Sequence, residues 1–171
     1  MSTRWKPSAT VAAIIEQDGK FLLIEEHTPE GLRLNNPAGH LDEGESLVAA
    51  CAREALEETM HRFTPTELVG VYMSRFQRPG NDACLSEDVT YLRFAFCGKL
   101  GALQSGRSLD TGIERTLWLS PAEIRASADR HRSPLIVQCM EDYLKGQRFP
   151  LSLIYTDATV TPLPLSGGQT A

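Results

Sequence analysis

Glu54, Glu57 and Glu58 stand three and four residues apart, so on a helix their carboxylates gather on neighbouring surface positions. Like charges repel at that spacing, and the C-terminal end of a helix already carries negative partial charge. A cation is needed to hold such a group together. Arg53 lies four residues before Glu57 and can pair with it, but one guanidinium does not neutralise three carboxylates. A divalent ion does: grouped hard oxygen donors suit Mg²⁺ or Mn²⁺, and Mg²⁺ completes its shell with the phosphates of a substrate. The plainer alternative is a solvated acidic face. Three glutamates beside an arginine, following the acidic glycine-bearing loop from Gly39 to Glu45, favour the metal reading.

Several elements must position these residues. From Ser46 onward Ala, Leu and Glu dominate, with no Gly or Pro before Thr59, which predicts a helix of about four turns. Leu47, Ala50, Cys51 and Ala55 share its core-facing side. Glu45 sits where the helix begins, placed to brace Arg53 as a structural residue. Upstream, Ala9 to Ile15 and Lys20 to Glu26 read as two antiparallel strands joined through Asp18-Gly19, and His27 to Leu34 as a polar loop. Pro37 enforces an extended entry to Gly39, which allows close backbone approach.

Downstream, Leu68 to Phe76 reads as a strand, Gln77 to Ser86 as a loop, and Asp88 to Leu100 as a strand. On the latter Tyr91, Arg93 and Ala95 share one face and Leu92, Phe94 and Phe96 the other. An arginine in mid-strand is either a snorkelling edge residue or a phosphate contact, a role suited to its bidentate fork. Arg93, Arg75 and His40 are the candidate substrate contacts. Gly101 to Gly112 reads as a polar loop, and Glu114 to Leu119 as a final strand with Glu114 at its mouth, a candidate metal ligand or general base. For a single glutamate of this kind a surface role is the commoner one. Ser120-Pro121-Ala122-Glu123 carries a capping box, and Ser133-Pro134 opens a further helix running to about Leu144.

The length, 171 residues, fits one domain, expected over 1–155 with a flexible tail over 156–171 rich in Thr, Pro, Gly and Ser. The net charge is −5, and the stretch from Asp42 to Glu58 holds six acids and one base, leaving 16 of each elsewhere. The remainder is balanced, which argues against a nucleic-acid surface. The four cysteines, Cys51, Cys84, Cys97 and Cys139, lack metal-site or redox spacing. With no apolar run of membrane length, the expectation is a reduced, cytoplasmic protein.

The stretch around the glutamates resembles the signature of the Nudix hydrolases: Gly39, Glu45, Arg53, Glu54, Ala55, Glu57 and Glu58 match it in type and spacing. Met60 stands where that family has glycine and His61 where it has an apolar residue, which suggests a locally altered helix end that spares the metal ligands. The resemblance implies an α/β/α sandwich with a mixed central sheet, the Gly39 carbonyl in the metal shell, and a Mg²⁺-dependent pyrophosphohydrolase. Within the family, Val11 to Glu26, Pro37 to Leu41, Leu92 to Phe94, Arg132 to Leu135 and Gly146 to Arg148 look like the bacterial NudJ-type phosphatases. That likeness implies hydrolysis of nucleoside di- and triphosphates or thiamine-type pyrophosphates, with release of terminal phosphate. On this reading Glu54, or secondarily Glu114, is the general base, the substrate is a small phosphorylated metabolite, and the chain is a monomer or homodimer. A nucleotide-sensing module without hydrolysis and an ADP-ribose pyrophosphohydrolase are the alternatives.

Overall fold

The computed structural model describes residues 4–79 and 86–160. Strand β1 (Ser8–Ile14) is buried without alternation from Val11 to Ile14, as befits a strand covered on both faces. It lies inside a five-stranded mixed sheet, order β5-β1-β7-β6-β9, parallel to β7 (Ser86–Leu103) and antiparallel to β5 (Ala38–His40). The expected antiparallel pairing of Ala9 to Ile15 with Lys20 to Glu26 is therefore corrected. Asp18 and Gly19 do form the tight turn, at φ 53° and 77°. That turn joins only the short β2 (Glu16–Gln17) to the start of β3 (Lys20–Thr28), because the chain changes sheets after Ile14.

β3 is the middle of a second, antiparallel sheet, flanked by β4 (Gly31–Asn35) and β8 (Ile113–Leu119). The expected loop over His27 to Leu34 is a second correction. Thr28 pairs with Gly31 across a tight turn, the Thr28 hydroxyl donating to the Gly31 carbonyl at 2.8 Å and accepting from the Glu30 N–H at 3.2 Å. Leu34 is buried while Leu32 points outward, an alternation that a short polar segment conceals.

β6 (His61–Pro79) and β7 form one long antiparallel ribbon, paired from His61 with Leu103 to Pro79 with Ser86. Gln77 to Pro79 and Gly101 to Leu103, expected as loop, are thus strand. The rest of the expected Gln77 to Ser86 loop, residues 80–85 with Cys84, lies outside the described residues. Two residues of β9 (Phe149–Pro150) touch the far edge of β6.

Both faces of the mixed sheet are covered. On one, Val11, Ala13, Leu68 and Phe96 pack with Ala50, Cys51 and Ala55 of α1 (Leu47–Thr59). On the other, Ala12, Val69 and Ala95 pack with Ile124 of α2 (Pro121–Ala126) and with Ile136, Cys139 and Met140 of α3 (Leu135–Leu144). The outcome is the expected α/β/α layering, with the strands divided between two sheets. Of the expected tail, Ala158–Val160 forms a 3₁₀ turn, and 161–171 lies outside the described residues.

α1 begins where the Ser46 hydroxyl accepts from the Ala49 N–H at 3.1 Å. Its other end is not altered as Met60 and His61 suggested. Met60 takes the left-handed conformation itself, φ 59° and ψ 7°, and donates its N–H to the Leu56 carbonyl at 2.9 Å. A side chain there costs roughly 1 kcal/mol relative to glycine. Met60→Gly is therefore expected to raise the free energy of unfolding by about that amount, measured by urea denaturation, with turnover unchanged.

Candidate active site

The mixed sheet and the β3–β4 hairpin enclose a cavity of about 860 Å³. Its floor is a row of in-register residues, His40 on β5, Thr10 on β1 and Arg93 on β7, which share one sheet face and all line the cavity. The helix α1 supplies Glu54 and Glu58, one turn apart, and β3 supplies Glu26. Tyr91 and Phe76 of the ribbon close the other end, their ring centroids 5.9 Å apart.

Arg53 holds the acidic end in place. It donates from Nε and Nη2 to the Glu45 carboxylate at 3.0 and 2.6 Å, from Nη1 to Glu54 at 2.7 Å and Glu57 at 3.0 Å, and from Nη2 to the His40 carbonyl at 3.0 Å. The Glu45 hydrogen bonds, ahead of those from Glu54 and Glu57, raise its already high pKa, and Arg53 in turn holds the Glu45 carboxyl below its ordinary range. Glu45 is thus the brace expected of it. Glu57 accepts from Arg53 and is not among the cavity-lining residues.

Gly39 meets α1 closely: a Cβ there would overlap the Glu54 carboxylate. Close approach, and not backbone conformation, requires this glycine. Glu58 is buried and accepts the Ala38 N–H at 2.7 Å; burial pushes its carboxyl up to about 9, and Glu54 and Glu26 nearby add to the rise. Burial raises Glu54 as well. Among the described residues, no three His, Cys, Asp or Glu side chains form a ready ligand set. The donors nevertheless fit a hard divalent cation, since Glu54 and Glu58 are crowded, desolvated carboxylates beside a backbone with no Cβ in the way. A cation there would hold them ionised.

Arg93 is 8 % exposed on a strand with neighbours on both sides, so the edge reading is excluded. Its Nε and Nη1 have no hydrogen-bond partner among the described residues, and burial lowers its pKa. Arg75 is not in the cavity. Strand alternation sends Ser74 and Phe76 inward and Arg75 to the opposite face, where it pairs with Asp88. Glu114 is also outside the cavity lining. The bulge that matches Glu25 with Arg115 but Glu26 with Ile113 turns Glu114 aside, and its carboxylate meets His27 Nε2 at 3.1 Å.

Among the cavity residues that the sequence did not mark as candidates are Glu26, Asn35, Arg132 and Thr10. Glu26 accepts from Asn35 Nδ2 at 3.0 Å and from Arg132 Nη1. A carboxylate ending an apolar strand was the available signal for Glu26; Thr10, inside a β-forming run, gave none.

Gly39→Ala is expected to leave the protein folded, because the clashing atoms are the far end of the Glu54 side chain and not backbone. Displacing Glu54 by even 1 Å should lower kcat by on the order of 100-fold. Circular dichroism and steady-state kinetics together check this; loss of fold with loss of activity would refute it.

A family model described as a NUDIX domain matches residues 5–139. The chain is 35 % identical over 151 residues to the phosphatase NudJ of Escherichia coli K12, covering 88 % of this chain and 92 % of that one. A NUDIX hydrolase structure from Nitrosomonas europaea is 49 % identical, with a TM-score of 0.78 over 89 % of this chain and 98 % of that one. The MutT protein of Methanosarcina mazei Go1, 20 % identical, shares the fold with a TM-score of 0.63 over 85 % of this chain and 99 % of its own. These likenesses span most of the chain, include the glutamate helix and agree with the layering described above, and so the protein belongs to the Nudix family as a hydrolase of pyrophosphate bonds.

Proposed function

We propose that this hydrolase removes the terminal phosphate of small organic di- and triphosphates, nucleoside di- and triphosphates first among them, using Mg²⁺ or Mn²⁺. The observation that carries this reading is the pairing, in one cavity, of desolvated carboxylates on Glu54 and Glu58 with a buried Arg93 whose Nε and Nη1 have no partner among the described residues. An anion lying between them with its cation satisfies both ends. The cavity volume, about 860 Å³, is in the range for a small organic ligand. Likeness to a protein named as a phosphatase supports the choice of terminal phosphate.

Glu54, Glu57, Glu58 and the Gly39 carbonyl are the proposed cation ligands, with Glu57 reaching inward when it leaves Arg53. The cation, when bound, neutralises charge on the phosphoryl oxygens and makes a water more acidic. Arg93 grips the phosphate that is not transferred, through its free Nε and Nη1. Arg53 fixes the Glu54 rotamer, and Glu54 takes the proton of the attacking water as general base. Glu114, engaged with His27, is less well placed for that role. His40 and Tyr91 contact the organic part. The free thiols of Cys51, Cys97 and Cys139 are consistent with work in a reducing cytoplasm.

A screen of nucleotides and coenzyme pyrophosphates for released orthophosphate, with Mg²⁺ and with chelator, tests the reading. Orthophosphate from a nucleoside triphosphate, abolished by chelator, is the expected result. Monophosphate plus intact pyrophosphate would move the cleaved bond, and binding without any turnover would leave a nucleotide sensor. Arg93→Ala should lower kcat/KM by on the order of 10-fold or more, as for loss of a charge-assisted contact, while the Mg²⁺-induced rise in melting temperature persists.

A further inference from the structure

Buried polar atoms in folded proteins are paired in the great majority of cases, so those left over mark where a partner is expected. Among the described residues the buried side-chain nitrogens and oxygens without one are Thr10 Oγ1, Asn35 Oδ1, Asn36 Oδ1, and Nε and Nη1 of Arg93. All but Asn36 belong to residues lining the cavity described above. The orientation of the Asn35 amide is fixed by chemistry: its Nδ2 donates to the Glu26 carboxylate at 3.0 Å, and a flip would set oxygen against oxygen. Asn35 Oδ1 is therefore an acceptor awaiting a donor. The terminal oxygens of an ionised phosphate cannot supply one, whereas Arg93, which lines the same cavity, offers only donors.

The cavity thus asks for both signs of hydrogen bond. Thr10, in register with Arg93 on the adjacent strand and 6 % exposed, can give or take one. We propose that Thr10 and Asn35 form a recognition site for the organic group of the substrate, one that selects groups presenting a hydroxyl or N–H donor next to an acceptor, as a nucleoside does, over hydrocarbon groups and bare inorganic polyphosphate. The proposal rests on the reading of the protein as an organic-pyrophosphate hydrolase. It assigns Thr10 to substrate selection and leaves phosphate binding to Arg93. Sites built to hydrogen-bond a ligand reject analogues lacking the group, because the protein's own polar atoms then remain unpaired.

Thr10→Val removes the hydroxyl at constant shape, and Thr10→Ser keeps it. Replacing an unpaired buried hydroxyl by a methyl should leave the ligand-free melting temperature unchanged or raised, where a structural hydroxyl would lower it. With a ribonucleoside 5′-diphosphate as substrate, Thr10→Val should raise KM about ten-fold with kcat little changed, and Thr10→Ser should restore it. With inorganic tripolyphosphate the variants should match wild type. The stabilisation produced by a non-hydrolysable α,β-methylene nucleoside diphosphate should shrink in Thr10→Val alone, a readout that needs no turnover. An equal effect on nucleotide and tripolyphosphate, or a fall in ligand-free melting temperature without change in KM, would overturn the proposal. Absence of hydrolysis with the binding difference intact would overturn the catalytic reading and not this one.

Discussion

The guanidinium of Arg53 is the contact on which the arrangement of the catalytic end depends. It binds Glu45 through two nitrogens, spans to Glu54 and Glu57, and ties the helix to the strand carrying Gly39 by donating to the His40 carbonyl. Exposed ion pairs contribute little in isolation. Here the partners are half-buried and share one cation, so losing it would leave crowded carboxylates without compensation. The planar fork matters as much as the charge, since lysine could not reach Glu45 bidentately and still face Glu54. Arg53 neutralises the helix only in part, and a second cation beside Glu54 and Glu58 would hold ionised the two carboxyls that burial otherwise raises.

That helix must lie close to β5, and small residues allow it. Gly39 lets the Glu54 carboxylate rest against the backbone, and Ala50, Cys51 and Ala55 bring α1 down onto the sheet. The same sheet offers its other face to α3, and near the strand ends, where neither helix covers it, the cavity opens. The polar row of His40, Thr10 and Arg93 lies directly beyond the apolar row of Ala38, Ala12 and Ala95, two residues further along each strand. Packing core and recognition surface are thus consecutive rows of one sheet face.

Local signals told much of this in advance. Glu54 and Glu58 with Arg53 follow from helical spacing alone, and Glu45 as brace follows from its place at the helix start. Gly39 was legible through its proline-preceded approach. What the sequence hid was pairing across distance. β1 and β3 look like hairpin partners because an Asp-Gly turn lies between them, yet burial on both faces sends β1 to β7. Arg75 and Arg93 are equally basic strand residues, and only the register and the alternation of the ribbon decide that one faces the cavity and the other Asp88. Glu114 was misplaced by a bulge, a one-residue event that no periodicity records.

The departure at Met60 shows how the costs are distributed. A left-handed methionine costs about 1 kcal/mol, against a stability of roughly 5–15 kcal/mol for a domain, so folding tolerates it. Its backbone still closes the helix on the Leu56 carbonyl, and its own carbonyl accepts from Gln104 N–H at 2.8 Å, anchoring the start of the ribbon. The chain therefore leaves α1 along the path a glycine would give. Glu54 lies more than a turn earlier, and Glu58, two residues before Met60, is fixed by Ala38 from the opposite side. The strain consequently falls on the stability of the helix end and not on the geometry of the carboxylates, which is why the motif can vary there while its acidic positions hold their places.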